Sequence, residues 1–156
     1  MYGPGCFYFM SDYGLSAEFA GVVRAVLARD APGVPTVDLT HAIPPFDVRA
    51  GALTLARCAP HLGPGIVLAV VDPGVGTARR AIALESADDR GPRHLLGPDN
   101  GLLVWAAELL GGIRRAVELE ASPMTPKSST FDGRDVFGPA AASLSRGTGI
   151  ASLGDS

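Results

Sequence analysis

Residues 66–71 read IVLAVV, a continuous apolar run rich in β-branched side chains. Such a run is typical of a strand that is buried on both faces, as in the parallel sheets of α/β proteins. It is followed at once by the turn DPGVG at residues 72–76, in which Asp72 is the first polar residue. The stretch therefore predicts a buried strand with a carboxylate at its carboxyl end.

Apolar patterns on either side of this run predict an alternation of strands and helices. Further strands are expected at residues 6–10, 34–39, 81–85, 93–96 and 114–119. Helical spacing of apolar residues predicts helices over residues 19–27, 47–57, 102–110 and 137–144, with Ser16 and Asp47 as N-caps of the first two. The polar segment SADDRGPR, which begins at Ser86, is expected to be a hairpin loop. This order predicts an α/β three-layer sandwich, in which helices flank a central, mostly parallel sheet.

Composition limits the class of protein. The 156 residues are 47% apolar and 19% charged, which fits one α/β domain spanning residues 1–156. The net charge of −3 argues against nucleic acid as the main partner, and no apolar run is long enough to cross a membrane. Cys6 and Cys58 form no disulfide or metal-binding pattern, and residues 1–10 do not resemble a signal peptide, so we expect a cytoplasmic protein.

Polar residues and glycines cluster in turns that follow the predicted strands. Ligands of open α/β sheets bind outside the carboxyl ends of the strands, and glycine lets the backbone approach them closely. The five segments of this kind are SDYG at 11–14, the stretch 40–47, the stretch 72–80, GPDNG at 97–101 and TFDGRD at 130–135. His41 has no partner one helical turn away, so we expect it to be structural and expect no metal site.

The standard phosphate and hydrolase motifs are missing from the sequence. There is no GxxxxGK[ST], the pair Gly74 and Gly76 lacks the third glycine of GxGxxG, and there is no GxSxG. A nucleoside site is still open, because ribose hydroxyls need carboxylate or amide partners rather than a phosphate cradle.

At these five segments the chain resembles the S-adenosyl-L-methionine (SAM) hydroxide adenosyltransferases, or SAM hydrolases, which are related to the fluorinases and chlorinases. The matching strings are SDYG (11–14), DLTHAIPPFDVR (38–49), VVDPGVGTARR (70–80), GPDNGLL (97–103) and TFDGRD (130–135). They cover nearly the whole chain in the family's order. The resemblance implies the N-terminal α/β domain of that family.

The resemblance also implies an activity, the cleavage of SAM at ribose C5′ by water to give adenosine and methionine. The sulfonium leaves as a neutral thioether, so the reaction needs neither a general acid nor a cofactor. By motif, Asp72 and Arg79 would position and activate the water, with Asp132 as the third group of the site. Arg79 rather than Arg80 is expected to face the site, because neighbours along an extended chain point in opposite directions.

Contacts with the substrate are implied for three more residues. Asp12 would hold the ribose hydroxyls, Phe46 would lie against the ribose or adenine, and Asn100 would line the nucleoside pocket. Each has a structural alternative, namely an Asx turn for Asp12, a core position for Phe46 and a helix cap for Asn100. Arg134 and Asp135 are expected to form a structural ion pair.

The sequence departs from the family pattern in two ways. Asp132 stands where the family has histidine in Thr-Phe-His-Gly-Arg-Asp, so it either serves as a substitute base or leaves a slow or inactive site. Two carboxylates near one water repel each other unless a cation such as Arg79 lies between them. The chain also ends near the end of the family's N-terminal domain, without the smaller C-terminal β domain that completes each site from a neighbouring subunit.

The family forms trimers, so a homotrimer is expected. Two alternatives to an enzyme stay open. One is a protein that binds adenosine or SAM without turnover, and the other is an oligomerisation domain whose ligand site has decayed.

Overall fold

The apolar run IVLAVV at residues 66–71 forms an inner strand of a seven-stranded sheet. The structure is a computed structural model that describes residues 5–120 and 130–156. The strands in that part of the chain are β1 (Cys6–Ser11), β2 (Thr36–Thr40), β3 (Gly65–Val70), β4 (Ala81–Asp88), β5 (Gly91–Pro98), β6 (Arg115–Leu119) and β7 (Gly154–Asp155). The helices are α1 (Phe19–Asp30), α2 (Val48–Cys58), α3 (Val104–Leu109) and α4 (Gly138–Ser145). A single π-helical turn, Gly133–Phe137, leads directly into α4.

The strand order across the sheet is β2-β1-β3-β5-β4-β6-β7. Strands β2, β1, β3 and β5 pair in parallel, whereas β5, β4, β6 and β7 pair antiparallel. The prediction of an α/β sandwich is confirmed. Its parallel share is smaller than expected, because β4 and β5 form a hairpin and β6 and β7 continue the antiparallel half.

Side chains alternate along the strands between two cores, one on each face of the sheet. Phe7 and Phe9 of β1 belong to the core beneath α1 and α4, while Met10 belongs to the core beneath α2 and α3. In β3, Ile66, Leu68 and Val70 point to the first core and the intervening residues to the second. The continuous apolar run is therefore explained by burial on both faces.

The polar segment SADDRGPR forms a hairpin, as predicted, but its loop is much shorter than the whole segment. Strands β4 and β5 extend through it, and Asp88 pairs with Gly91, so the turn consists of residues 89 and 90 alone. The polar residues mislead because two of them, Ser86 and Arg93, are fully buried within the strands. Arg93 donates hydrogen bonds from its two terminal nitrogens to Asp88 and to the carbonyl oxygens of Gly91 and Leu62, which offsets part of the cost of its burial. Its Nε has no partner among the described residues.

The two predicted helix caps have different outcomes. The Asp47 carboxylate accepts a hydrogen bond from the Ala50 N–H at 2.9 Å and caps α2, as predicted. The Ser16 prediction is wrong, because α1 begins at Phe19 and the residue before it, Glu18, makes no side-chain cap.

The order of the first three strands creates a crevice. The chain passes from β1 through α1 to β2 on one side, and then through α2 to β3 on the other side of β1. The carboxyl ends of β1 and β3 therefore flank a topological switch point, which is where open α/β sheets bind their ligands. Within the described residues, no helix combines the length and the apolar character that crossing a bilayer requires.

Candidate active site

A cavity of about 290 Å³ lies at this switch point. Four separate stretches of chain build it, from the ends of β1 and β3, the turn before α2 and the segment before the π-helical turn. Its lining residues are Asp12, Tyr13, Phe19, Pro45, Phe46, Val70, Asp72, Val75, Thr130, Phe131 and Asp132. The fold thus brings the predicted residues Asp12, Phe46, Asp72 and Asp132 around one space.

Arg79 joins two of the cavity's carboxylates. Its Nε lies 3.0 Å from both Oδ1 and Oδ2 of Asp72, and its Nη2 donates to Asp72 Oδ2 as well. The same Nη2 donates to Asp132 Oδ2 at 2.6 Å. The Arg79 side chain is 13% exposed and that of Asp72 is 5% exposed, so the ion cluster is largely shielded from water. The cation that the sequence argument required between the two carboxylates is present.

The protonation states of the cluster follow from these contacts. Burial acts to lower the pKa of Arg79, but its hydrogen bonds to Asp72 and Asp132 outweigh burial and raise it. Burial, reinforced by the charges of Asp12, Asp72 and Asp132, raises the pKa of Tyr13 well above its usual value. Arg79 therefore stays a cation and Tyr13 stays a neutral phenol at neutral pH.

Asp132 offers an unused acceptor. Its residue exposure is 5%, and its Oδ1 accepts no hydrogen bond within the described chain, although Oδ2 is bound by Arg79. A buried carboxylate oxygen without a donor costs free energy, so such an atom is a natural contact for a ligand or water. Asp132 lines the cavity, although its Oδ1 itself is buried.

Asp12 connects the end of β1 to the turn before α2. Its Oδ2 accepts the Phe46 backbone N–H at 2.7 Å. Burial is the largest effect on its carboxyl and raises the pKa of Asp12, with the Asp72 charge adding to the rise and the Phe46 N–H opposing it. The Asx-turn alternative is thus replaced by a long-range contact across 34 residues.

Phe46 adopts an unusual backbone conformation at the cavity mouth. Its φ is 63°, and no other non-glycine residue in the described segments has a positive φ. The Asp47 N–H donates to the Pro44 carbonyl at 3.0 Å, so Phe46 occupies the position of a turn that normally favours glycine. The side chain is 63% exposed, which rules out the core alternative and leaves the ring beside the cavity.

Asn100 and Arg80 lie outside the residues that line the cavity. The Asn100 side-chain amide donates to the Val71 carbonyl at 3.0 Å, and its Oδ1 accepts the Leu102 N–H at 3.1 Å. Asn100 therefore ties the end of β3 to the turn before α3, and its predicted contact with a nucleoside stays a prediction. Arg80 pairs with Asp99 and its side chain is 63% exposed, in agreement with the expectation that Arg79 faces the site.

A hydrogen-bonded chain from the buried Ser11 and His41 to the exposed Asp38 supports the turn that carries Asp12. Ser11 Oγ lies 2.7 Å from His41 Nδ1, and His41 Nε2 lies 2.7 Å from Asp38 Oδ1. The Tyr13 N–H donates to Ser11 Oγ at 3.2 Å, so the chain connects the turn after β1 to β2. These residue types match a nucleophilic triad, but Ser11 is fully buried and cannot meet a substrate. The expectation that His41 is structural agrees with this geometry.

Sequence reasoning missed several cavity residues. Tyr13 and Phe131 stand inside the quoted motifs without an assigned role, and Phe19 is predicted only as the first residue of a helix. The sequence carries no signal for Tyr13, because the close approach of its hydroxyl to Gly133 appears only in the folded structure. Arg134 pairs with Asp135 at 2.7 Å, as expected. Among residues 5–120 and 130–156, no group of three or more His, Cys, Asp or Glu side chains is arranged to hold a metal ion.

Comparison with known proteins identifies the family of this chain. Residues 7–154 match the SAM hydroxide adenosyltransferase N-terminal domain. The chain belongs to the SAM hydroxide adenosyltransferase family.

The curated relatives are matched over only part of their own length. The (R)-S-adenosyl-L-methionine hydrolase of Salinispora tropica is 51% identical over 148 residues, which is 94% of this chain and 55% of the relative. A fluorinase of Actinoplanes sp. is 28% identical over 168 residues, a more distant relationship that spans 94% of this chain and 56% of the fluorinase. The chain spans about half the length of the curated relatives it matches.

Solved structures of this family agree with the fold. An uncharacterized conserved protein from Thermotoga maritima superimposes with a TM-score of 0.87 at 36% sequence identity. The superposition covers 96% of this chain and 57% of the other. The α/β sandwich fold is therefore shared with an experimentally determined structure.

Proposed function

We propose that this member of the SAM hydroxide adenosyltransferase family hydrolyses S-adenosyl-L-methionine to adenosine and L-methionine. The observation that carries the proposal is the cluster of Asp72, Arg79 and Asp132, whose two carboxylates line a cavity of about 290 Å³. Its close relatives are named (R)-S-adenosyl-L-methionine hydrolases, which supports the same reaction for this chain.

The reaction we propose is a displacement at ribose C5′. A water oxygen forms a bond to C5′ while the bond from C5′ to sulfur breaks, and its electron pair stays on sulfur as the neutral thioether of methionine. The water loses one proton, which a carboxylate of the cluster accepts. No cofactor is required, because the positively charged sulfonium is already an activated leaving group.

The described residues suit these tasks. Arg79 holds the Asp72 carboxylate by two nitrogens, which fixes its orientation for binding water. The free Oδ1 of Asp132 is a second acceptor for the water in the place where the family pattern has histidine. Asp12 and Phe46 lie at the mouth of the same cavity, where the ribose hydroxyls and the nucleoside rings would be held.

Product analysis tests the proposal. The chain is incubated with SAM in water enriched in ¹⁸O, and adenosine is separated by chromatography and weighed by mass spectrometry. We expect adenosine with one ¹⁸O in its 5′-hydroxyl, because the attacking oxygen comes from solvent. The absence of adenosine, or adenosine without label, would contradict the proposal.

A protein that binds SAM without turnover is the alternative that the sequence left open. Asp132→His restores the histidine of the family pattern and separates the two. If Asp132 works as the base, the histidine variant has a rate within about tenfold of the unchanged chain. If the Asp132 site only binds, adenosine forms with the variant alone.

We also propose that the protein acts as a homotrimer in the cytoplasm. Exposed apolar side chains on and beside α3, including Trp105 and Leu109, support self-association, and the unpaired Cys6 and Cys58 fit a reducing compartment. Light scattering coupled to size exclusion tests the trimer, and a monomeric mass at micromolar concentration would contradict it.

A further inference from the structure

The charges around the cavity are unbalanced. Three carboxylates line it in the described part of the chain, those of Asp12, Asp72 and Asp132. None of the described lining residues is Lys, Arg or His, and the guanidinium of Arg79 is the cation that contacts this group. Three carboxylates and one guanidinium give the cluster a formal charge of −2.

Arg79 does not neutralise every oxygen of the group. It contacts both oxygens of Asp72 but only Oδ2 of Asp132. The Oδ1 of Asp132 is buried and receives no donor from the described residues. This atom is therefore a buried carboxylate oxygen of the group that no hydrogen bond from the described residues compensates.

Arg134, which lies beside the lining residue Phe131, does not change the net charge of the cluster. The Arg134 guanidinium lies 4.9 Å from the centre of the Phe131 ring and is paired with Asp135. Its charge is therefore already matched by a carboxylate that does not line the cavity. An anion entering the cavity would meet repulsion, whereas a cation would meet attraction that is strengthened by shielding from water.

We infer that Asp132 makes the cavity selective for nucleosides that carry a positive charge on the 5′ substituent. The inference rests on the proposed function for one point, that the 5′ carbon is directed toward the Asp72 and Asp132 end of the cavity. The chemical class selected is a 5′-sulfonium or 5′-ammonium nucleoside over the corresponding neutral alcohol or thioether. A neutral product would then bind more weakly than the charged substrate and would leave the cavity more readily.

Two nucleosides that differ at a single 5′ group test this selectivity. Adenosine carries a neutral hydroxyl, and 5′-amino-5′-deoxyadenosine carries an aliphatic amine that is protonated at pH 7. Neither has a sulfonium leaving group, so binding is measured by titration calorimetry without turnover. We expect the amine to bind at least tenfold more tightly than adenosine, since one unit charge pair within a few ångströms is worth that much near a protein surface.

Three variants assign the effect to Asp132. Asp132→Asn keeps the shape and removes the charge, and we expect the amine preference to fall below about threefold. Asp132→Glu keeps the charge and retains a preference. Asp99→Asn is the matched control, because Asp99 pairs with Arg80 outside the cavity lining and its loss leaves the preference unchanged.

The outcomes separate this inference from the proposed function. Equal affinities for the two nucleosides in the unchanged chain, or a preference that survives Asp132→Asn, would overturn the charge selectivity alone. A clear amine preference without any adenosine formed from SAM would overturn the hydrolysis alone. If neither nucleoside binds, the charge selectivity is overturned, and the hydrolysis is judged by the adenosine assay with SAM alone.

Discussion

Arg79 holds the cavity together at the level of single residues. One planar guanidinium satisfies Asp72 through two nitrogens and reaches Asp132 through one of them. A lysine ammonium is a point charge that cannot reproduce this fork. The geometry of the water site therefore depends on an arginine at this position and not only on a positive charge.

Replacement of Arg79 by lysine tests that dependence. We expect Arg79→Lys to lower the rate of adenosine formation by about 10²-fold, because the Asp72 carboxylate loses its fixed orientation. Arg80→Lys is the control, since Arg80 lies at the surface with Asp99 and should keep a rate within a factor of about two. Adenosine is measured by chromatography under identical conditions, and equal losses in both variants would contradict a specific role.

Phe46 shows strain at the edge of the same site. A non-glycine residue at φ 63° costs about 1 kcal/mol, and the Asp12 carboxylate holds the turn in that conformation. Two truncations of the ring separate strain from packing. We expect Phe46→Gly to unfold in urea with a free energy about 1 kcal/mol higher than Phe46→Ala, because only glycine adopts this φ freely. Equal free energies of unfolding would show that the turn relaxes without its ring.

The Asp12 carboxyl makes stability depend on pH. Burial raises its pKa in the folded protein above the value of 3.8 for an exposed carboxyl, so the folded state holds this proton more tightly than the unfolded state. The contribution of Asp12 therefore favours folding at low pH and is lost as the pH rises from about 4 through the raised pKa.

Asp12→Asn removes that titration while its side-chain oxygen can still accept the Phe46 N–H. We expect the free energy of unfolding of the variant, relative to that of the unchanged chain, to increase as the pH rises from about 3.5 to about 7. Urea unfolding across that series measures the difference. A difference that is constant with pH, or that falls, would contradict the raised pKa.

At the level of elements, helix starts and the hairpin show what local sequence can and cannot indicate. Asp47 was predictable because its oxygen accepts a bond within its own helical turn, which is a property of local sequence. Ser16 carried the same signal, yet α1 begins at Phe19, where the Phe19 ring packs against Tyr13 and Phe131. The loop of the β4–β5 hairpin is shorter than predicted for a related reason, since Arg93 is buried through a hydrogen bond to the Leu62 carbonyl, which another part of the chain supplies.

These two helix starts provide a paired test. Asp47→Ala should lower the free energy of unfolding by about 1 kcal/mol, because the Ala50 N–H loses its acceptor. Ser16→Ala should leave it unchanged within about 0.5 kcal/mol, since Ser16 caps no helix in the structure. Chemical denaturation monitored by circular dichroism compares them. A larger loss for Ser16→Ala than for Asp47→Ala would reverse the assignment.

At the level of the whole molecule, the sequence allowed prediction of the α/β class, the strand ends that carry the site and the inward direction of Arg79. These features follow from hydrophobic runs and from turns that keep their local character. The contact from Asp12 to Phe46, the unpaired Oδ1 of Asp132 and the use of Asn100 inside the protein were not predictable. Each depends on how close separate turns come in three dimensions, and hydropathy along the chain does not encode that distance.

The two cores share a single sheet, which has a consequence for unfolding. Trp105 is the one tryptophan of the chain and lies on α3, over the core that Met10 and Leu55 belong to. Because β1 and β3 each contribute side chains to both cores, we expect tryptophan fluorescence and far-ultraviolet circular dichroism to report the same urea midpoint. Midpoints that differ by more than about 0.3 M would show that the two faces unfold separately.

The tight turn at residues 89 and 90 lies at the amino end of β5, opposite the sheet edge where β1 and β3 deliver Asp12 and Asp72. A break at that turn divides the chain into two pieces. Asp12 and Asp72 belong to the first piece and Asp132 to the second. Fused to two binding partners, the pieces would recover nucleoside capture only when the partners meet. The hairpin thus offers a split reporter whose signal is the reassembly of a charge cluster.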